Sequence, residues 1–259
     1  MAKGEAFDLT GKVAVVTGGN TGIGKAIARG LGQAGAAVAI LARNEKRNAS
    51  TLKDLQALGR PAAALMVDVS RREALKPALV EVERLLGPIN ILVNNAAFAV
   101  LKGLLDHTEE DWDSVLATDL TACFLLSKYA AQSMIRQGRG GKIINVASIA
   151  GFKGTGVFPS YAISKGGLLQ LTRCLAIELA PHRIQVNSLA LGWTTTDMTA
   201  WIRTEPQYAE LYKEMVTRTP AGRFADPEEA SGAAVFLASA ASDFMTGADL
   251  IVDGGFFVR

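Results

Sequence analysis

Val13-Ala14-Val15-Val16-Thr17-Gly18-Gly19-Asn20-Thr21-Gly22-Ile23-Gly24, residues 13–24, is the stretch on which the fold turns. Its first five residues are mostly β-branched and read as a buried strand, and from Ile23 to Leu31 apolar residues return at helical spacing. A strand that runs through glycines into a helix leaves the free N–H groups of the helix N-terminus facing an anion. The glycines let the backbone turn tightly and let a pyrophosphate approach. With 26 glycines in 259 residues such clusters form readily; the position between strand and helix, near the N-terminus, is what points to a dinucleotide. Gly18, Asn20, Thr21, Gly22, Ile23 and Gly24 are the candidate contacts.

Outward from this stretch the alternation continues. Strands are expected at Val38–Leu41, Ala63–Val67, Ile89–Val93, Lys142–Ala147 and Ile184–Leu189. Helices are expected at Glu45–Leu58, Arg72–Leu86, Glu109–Arg136 and Tyr161–Leu179. The strands are apolar without alternation, as parallel strands covered on both faces are. The expectation is an α/β fold, a single Rossmann-type doubly wound parallel sheet with helices on both faces and right-handed crossovers. After Leu191 the pattern breaks into Gly192-Trp193-Thr194-Thr195-Thr196 and a segment of mixed polarity. Residues of about 192–220 read as a substrate loop, since ligands meet such sheets at loops beyond strand ends. A helix at Pro227–Leu237 and a strand at Leu250–Val252 close the chain. No low-complexity linker interrupts it, so residues 1–259 read as one domain.

Lys plus Arg is 27 and Asp plus Glu 25, a net charge of +2, too small and too evenly spread for a phosphate-tracking surface; nucleic acid is not the expected partner. Cys123 and Cys174 have no partners at metal-ligand spacing, and His107 and His182 stand alone. That argues against structural zinc and a disulfide framework and makes a reducing, cytoplasmic setting the default expectation. Met1–Thr10 carries two acids and no apolar run, unlike a signal or transit peptide, and no stretch approaches the roughly 20 apolar residues of a membrane span. No membrane partner is expected.

The second strand ends Leu41-Ala42-Arg43-Asn44. A carboxylate there would accept the ribose hydroxyls of NAD(H); an arginine pairs instead with a 2′-phosphate and points to NADP(H). The alternative is that Arg43 is a solvated residue at a helix start. Asp68 and Val69, after the third strand, are placed to hold the adenine, although Asp68 equally suits a helix cap.

Tyr161 and Lys165 lie one turn apart at the start of a predicted helix. An ammonium beside a phenol favours the phenolate, so the pair suits proton exchange with an alcohol or carbonyl oxygen. Ser148, 13 positions earlier and just after the strand ending at Ala147, can aim its hydroxyl at the same oxygen, or serve as a turn or cap serine. No Gly-x-Ser-x-Gly elbow surrounds it, and no histidine stands where a triad base would, against a serine hydrolase.

Thr17 to Gly24, Asn94-Asn95-Ala96, Ser148 and Tyr161-x-x-x-Lys165, in this order and spacing over essentially the whole chain, resemble the short-chain dehydrogenase/reductases. The resemblance implies that Tyr161 is the general acid–base, that Ser148 orients the substrate oxygen, and that Lys165 holds the nicotinamide ribose while lowering the tyrosine's pKa. It places Asn95 and Ala96 against the cofactor, gives the carboxamide to the backbone near Thr194 and Thr196, and implies a homo-oligomer, a tetramer joined through Trp112–Arg136 and Tyr161–Leu179. Three positions depart from the family. Asp119 takes the fourth catalytic place, usually asparagine, bringing a negative charge that opposes a depressed tyrosine pKa. Ala97 stands for a glycine, and Leu191 for a proline whose absence leaves the following loop freer.

Phe98, Phe152, Phe158, Trp193 and parts of Met198–Tyr212 are the expected pocket lining, if they are not packing residues. Lys153, Arg203 and Arg218 could meet an anionic group but equally suit solvent. Thr219-Pro220-Ala221-Gly222-Arg223 and Val252-Asp253-Gly254-Gly255 look like members acting on 3-oxoacyl thioesters and on sugars or sugar acids. The reading is an NADP(H)-dependent oxidoreductase working on a small-molecule carbonyl or secondary alcohol. The alternatives are an NAD-dependent polyol or sugar dehydrogenase and a non-catalytic NADP(H)-binding redox sensor.

Overall fold

The computed structural model describes residues 5–259; the reading of Met1–Thr10 falls in part on residues 1–4, outside them. Seven strands form one parallel sheet in the order β3-β2-β1-β4-β5-β6-β7: β1 Val13–Thr17, β2 Ala37–Ala42, β3 Ala62–Met66, β4 Ile91–Asn94, β5 Gly141–Ser148, β6 Ile184–Leu191 and β7 Asp249–Val252. The doubly wound parallel sheet is as expected.

The uninterrupted apolar strands are explained by two cores. Val13 and Val15 of β1 and Ala39 and Leu41 of β2 face one core, with Leu75, Leu79 and Val82 of α3 (Arg72–Leu86), Leu126 and Met134 of α5 (Ala122–Gln137) and Leu175 of α6 (Pro159–Leu179). The alternate residues Ala14, Val16, Val38 and Ile40 face the other, with Ile27 and Leu31 of α1 (Gly22–Gln33) and Leu237 of α9 (Glu229–Ala238). Each fully buried Leu or Ile contributes about 1.5–3 kcal/mol, so the sheet has no face to leave in water.

The long helix expected at Glu109–Arg136 is two helices, α4 (Glu109–Leu116) and α5, joined by a π-helical turn at Ala117–Thr121. Thr108 opens α4 with a reciprocal capping box to Asp111, and Gly138, left-handed at φ 66°, ends α5. α6 begins at Pro159, two residues before the expected start, because proline at the first turn forfeits only an N–H that had no partner.

Leu191 is no part of the loop it precedes. It is buried, paired with Ser148 on β5 and Val252 on β7. Nor is 192–220 a plain loop. It holds α7 (Ala200–Thr204) and α8 (Ala209–Arg218), and Ile202, Met215, Phe224 and Phe256 give this cap a small core of its own. Aromatic residues spaced for that core read as mixed polarity in sequence. Among the described residues no helix is long and apolar enough to cross a membrane.

Candidate active site

The strand order reverses between β1 and β4, whose carboxyl ends open the crevice where α/β sheets take ligands. A cavity of about 610 Å³ lies there. It runs from Arg43, Asp68 and Val69, past the glycine turn, to Ser148, Tyr161 and Lys165. Gly18, Asn20, Thr21, Gly22, Ile23, Gly24, Asn95, Ala96, Thr194 and Thr196 all line it. Of the expected catalytic and cofactor-binding residues only Asp119 does not reach it.

The glycine turn is held by its neighbours as much as by its own residues. Gly18 has φ +63°, and a Cβ on Gly24 would collide with the Gly18 carbonyl, so neither tolerates a side chain in place. The Thr17 hydroxyl accepts the N–H groups of Asn95 at 2.9 Å and Ala96 at 3.0 Å, while Asn95 Nδ2 donates to Thr17 O at 2.8 Å. Asn20 Nδ2 donates to Asn48 Oδ1 at 2.8 Å, tying the turn to α2 (Glu45–Gln56). Asn95 and Ala96 thus meet the cavity while their N–H groups hold the turn.

At the adenosine end Arg43 is exposed at the mouth of the cavity. Arg47, one turn into α2, was missed in the sequence; it bridges the crevice, donating from Nη1 to Asp197 Oδ2 at 2.9 Å and Thr21 Oγ1 at 3.4 Å. Two arginines within five residues of a strand end were the available signal. Arg71, with no side-chain capping bond, is the N-cap of α3, so Asp68 is not the helix cap; it accepts at one oxygen from Ser70 N and Oγ and faces the cavity. Burial pushes its carboxyl up, but the Ser70 bonds with Arg43 and Arg71 outweigh this and hold it below the usual range.

At the other end, Ser148 closes β5, and its Oγ accepts from Ala150 N at 3.1 Å. Tyr161 and Lys165 sit in the first two turns of α6, with Lys165 Nζ 5.4 Å from the Tyr161 ring centre and donating to Val146 O at 3.1 Å. Burial pushes the Tyr161 phenol up, Lys165 and Ser148 pull it down, Asp119 raises it, and the net is above the ordinary value. In this chain Lys165 lowers the phenol's pKa without bringing it below that of a free tyrosine. For Lys165 burial pushes down, but Asp119 and Tyr161 outweigh it and keep the ammonium charged.

The substrate end differs from expectation. Phe98 lines the cavity, but Phe152, Phe158 and Trp193 do not, and of 198–212 only Met198 and Thr199 do. Phe152 packs on Phe257, Phe158 edge-on against Tyr161, and Trp193 on Phe224. Lys153 donates to Phe257 O, Arg203 to Thr196 O, and Arg218 lies over the Phe256 ring. None of the three cations lines the cavity. At Thr196 the N–H donates to Thr199 Oγ1. Among the described residues no cluster of His, Cys, Asp or Glu could hold a metal ion.

One cleft thus joins a phosphate-facing helix N-terminus with a glycine turn to a serine, tyrosine and lysine grouped at a strand end, an arrangement belonging to oxidoreductases that borrow a dinucleotide. A family model described as enoyl-(acyl carrier protein) reductase matches residues 18–257. The chain is 41% identical over 254 residues, 98% of each chain, to 2-dehydro-3-deoxy-D-gluconate 5-dehydrogenase of Escherichia coli (strain K12). A gluconate 5-dehydrogenase from Burkholderia cenocepacia, solved with NADP and tartrate, superposes with a TM-score of 0.92 at 36% identity, covering 99% of both chains. A short-chain type dehydrogenase/reductase from Mycobacterium marinum also superposes at 0.92 with 36% identity, covering 98% of this chain and 99% of its own. The chain belongs to the short-chain dehydrogenase/reductase family.

Proposed function

We propose that this protein is an NADP(H)-dependent oxidoreductase interconverting a ketone and a secondary alcohol on a sugar acid. The single observation that carries this is the continuity of one cavity from Arg43 to Tyr161. Its glycine turn leaves backbone N–H groups open to phosphates, and an arginine stands at the ribose end where NAD-binding sites place a carboxylate. Bound there, the nicotinamide supplies or accepts the hydride.

The chain's own residues supply position and proton. The Gly18–Gly24 turn holds the pyrophosphate, and Arg43 the 2′-phosphate, with Arg47 beside it. Asp68 and Val69 take the adenosine, Asn95 and Ala96 back the ribose, and Lys165 binds the nicotinamide ribose. The backbone at Thr194 and Thr196 meets the carboxamide. Ser148 donates to the substrate oxygen, and Tyr161 passes its proton to that oxygen or takes it back. Residues 192–220 cap the substrate within a single domain.

The sugar-acid class is supported by what the relatives act on. A second reading, a less polar carbonyl such as a 3-oxoacyl thioester, is favoured by one observation. Phe98, Ala99, Leu101 and Met198 line the substrate end, and Arg43, Arg47 and Lys165 are the only cations in the lining. A homotetramer through α4, α5 and α6 accords with exposed Trp112, Phe124 and Ile163 on those helices. Unpaired Cys123 and Cys174 accord with a cytoplasmic setting.

Nicotinamide fluorescence titration with NADPH and NADH, followed by keto-sugar acids, diketones and 3-oxoacyl thioesters, tests the reading. Expected are NADPH binding at least about tenfold tighter (about 1.4 kcal/mol) and turnover of keto-sugar acids. Preference for NADH overturns the cofactor assignment, and binding without turnover of any substrate favours the redox-sensor alternative.

A further inference from the structure

Asp119 lies in the π-helical turn between α4 and α5, fully buried, behind the wall of the cavity. Its Oδ1 accepts from Phe98 N at 3.1 Å. Its Oδ2 is buried with no hydrogen-bond partner and stands 3.7 Å from Lys165 Nζ. A π-turn inside a helix shifts the register of the next helical turns, and such insertions cluster at functional positions. Here it brings a carboxylate to the ammonium that underlies Tyr161.

We propose that Asp119 is a positioning residue that offsets the charge of Lys165 and so keeps Tyr161 protonated, fitting the site to donate a proton to a carbonyl oxygen rather than to withdraw one from an alcohol. The inference rests on Tyr161 being the acid–base group. In the donating direction the Tyr161 O–H bond breaks, its proton goes to the substrate oxygen as negative charge develops there, and a phenolate remains. A bare ammonium would make that phenolate easier to form at rest and would leave less phenol to donate. A paired one does not.

Among the described residues no other charge competes for this role. From α6 Tyr161 and Lys165 face Asp119. From α5 Cys123 does, its Sγ donating to Asp119 O at 3.3 Å and its thiol pushed up to about 12 by burial, so it stays neutral. The acids of α4, Glu109, Glu110 and Asp113, are exposed, and Asp111 pairs with Lys102. His107 turns its Nε2 to Ser160 Oγ, 2.8 Å away. Burial pushes the Asp119 carboxyl up to about 6 against the pull of Lys165 and the Phe98 N–H, which leaves it charged at neutral pH.

The test replaces charge and keeps shape. In Asp119→Asn the amide oxygen still accepts from Phe98 N. Phenolate absorbance of the cofactor-free protein is titrated, with the same trace from a Tyr161→Phe background subtracted to isolate Tyr161. The expected result is that Asp119→Asn moves the Tyr161 titration to lower pH by about one unit or more, a tenfold rise in phenolate fraction at fixed pH. The alkaline limb of carbonyl reduction and the acid limb of alcohol oxidation move with it. An unmoved titration overturns the proposal and leaves Asp119 as an anchor for the Phe98 N–H. If Asp119→Asn lacks a cooperative melt, Asp119→Ser carries the same comparison. The absorbance arm needs neither cofactor nor substrate, so failure to find a substrate, which bears on the proposed function, is distinguishable from failure here.

Discussion

The two ends of the cavity are built differently. The cofactor end rests on sheet and first-turn backbone: the glycine turn keyed to Thr17 and Asn95, with α2 tied to it through Asn20 and Asn48. Beyond the substrate end, where Met198 and Thr199 reach the cavity, α7 and α8 form a cap whose small core, Ile202 and Met215 with Phe224 and Phe256, is separate from both cores of the sheet. A rigid grip on one ligand is thus joined to a cap that can be remodelled without unfolding the sheet. Cofactor affinity and substrate affinity should therefore respond to different residues.

Four substitutions probe that separation. Tyr161→Phe should lower kcat by about 10²–10⁴-fold while NADPH affinity stays unchanged in fluorescence titration; loss of both would mean that the ends are not separable. Phe224→Ala opens a cavity in the cap core at a local cost of about 3–5 kcal/mol. It should raise KM and speed proteolysis within 192–220, with NADPH affinity intact. Arg43→Ala should act in the opposite way, abolishing about tenfold of NADPH-over-NADH preference (about 1.4 kcal/mol) at unchanged KM for the carbonyl substrate. The smallest effect belongs to Asp197→Asn. The Arg47–Asp197 pair is exposed and worth at most about 1 kcal/mol, so melting temperature should hardly move. Because this pair runs from α2 to the cap, NADPH release from Asp197→Asn that exceeds release from the unsubstituted protein at low salt but not at high salt would tie the two ends together after all.

The unequal legibility of the sequence follows the same division. The places of Gly18 to Gly24, Arg43, Ser148, Tyr161 and Lys165 were readable because each sits at a strand end or in the first two turns of a helix, where local pattern fixes position. The two-sided burial of β1 was readable because Val13 to Val16 are all apolar. Residues acting across the chain were not. Arg47 meets Asp197 across 150 positions, and Phe152, expected in the pocket, is drawn onto Phe257 at the far terminus. The π-turn at Ala117–Thr121 hid in an unbroken helical pattern, since one extra residue per turn leaves no mark on composition.

The knot at Thr17 bears on how such proteins diverge. One hydroxyl receives the N–H groups of Asn95 and Ala96, and Asn95 returns a bond to the Thr17 carbonyl. A glycine turn grafted from a scaffold without this threonine would leave the two N–H groups beyond β4 unmatched. Because each bond runs from a side chain of one segment to the backbone of the other, inheritance should hold position 17 to a hydroxyl and position 95 to an amide independently, and a change at one gives no reason for a change at the other.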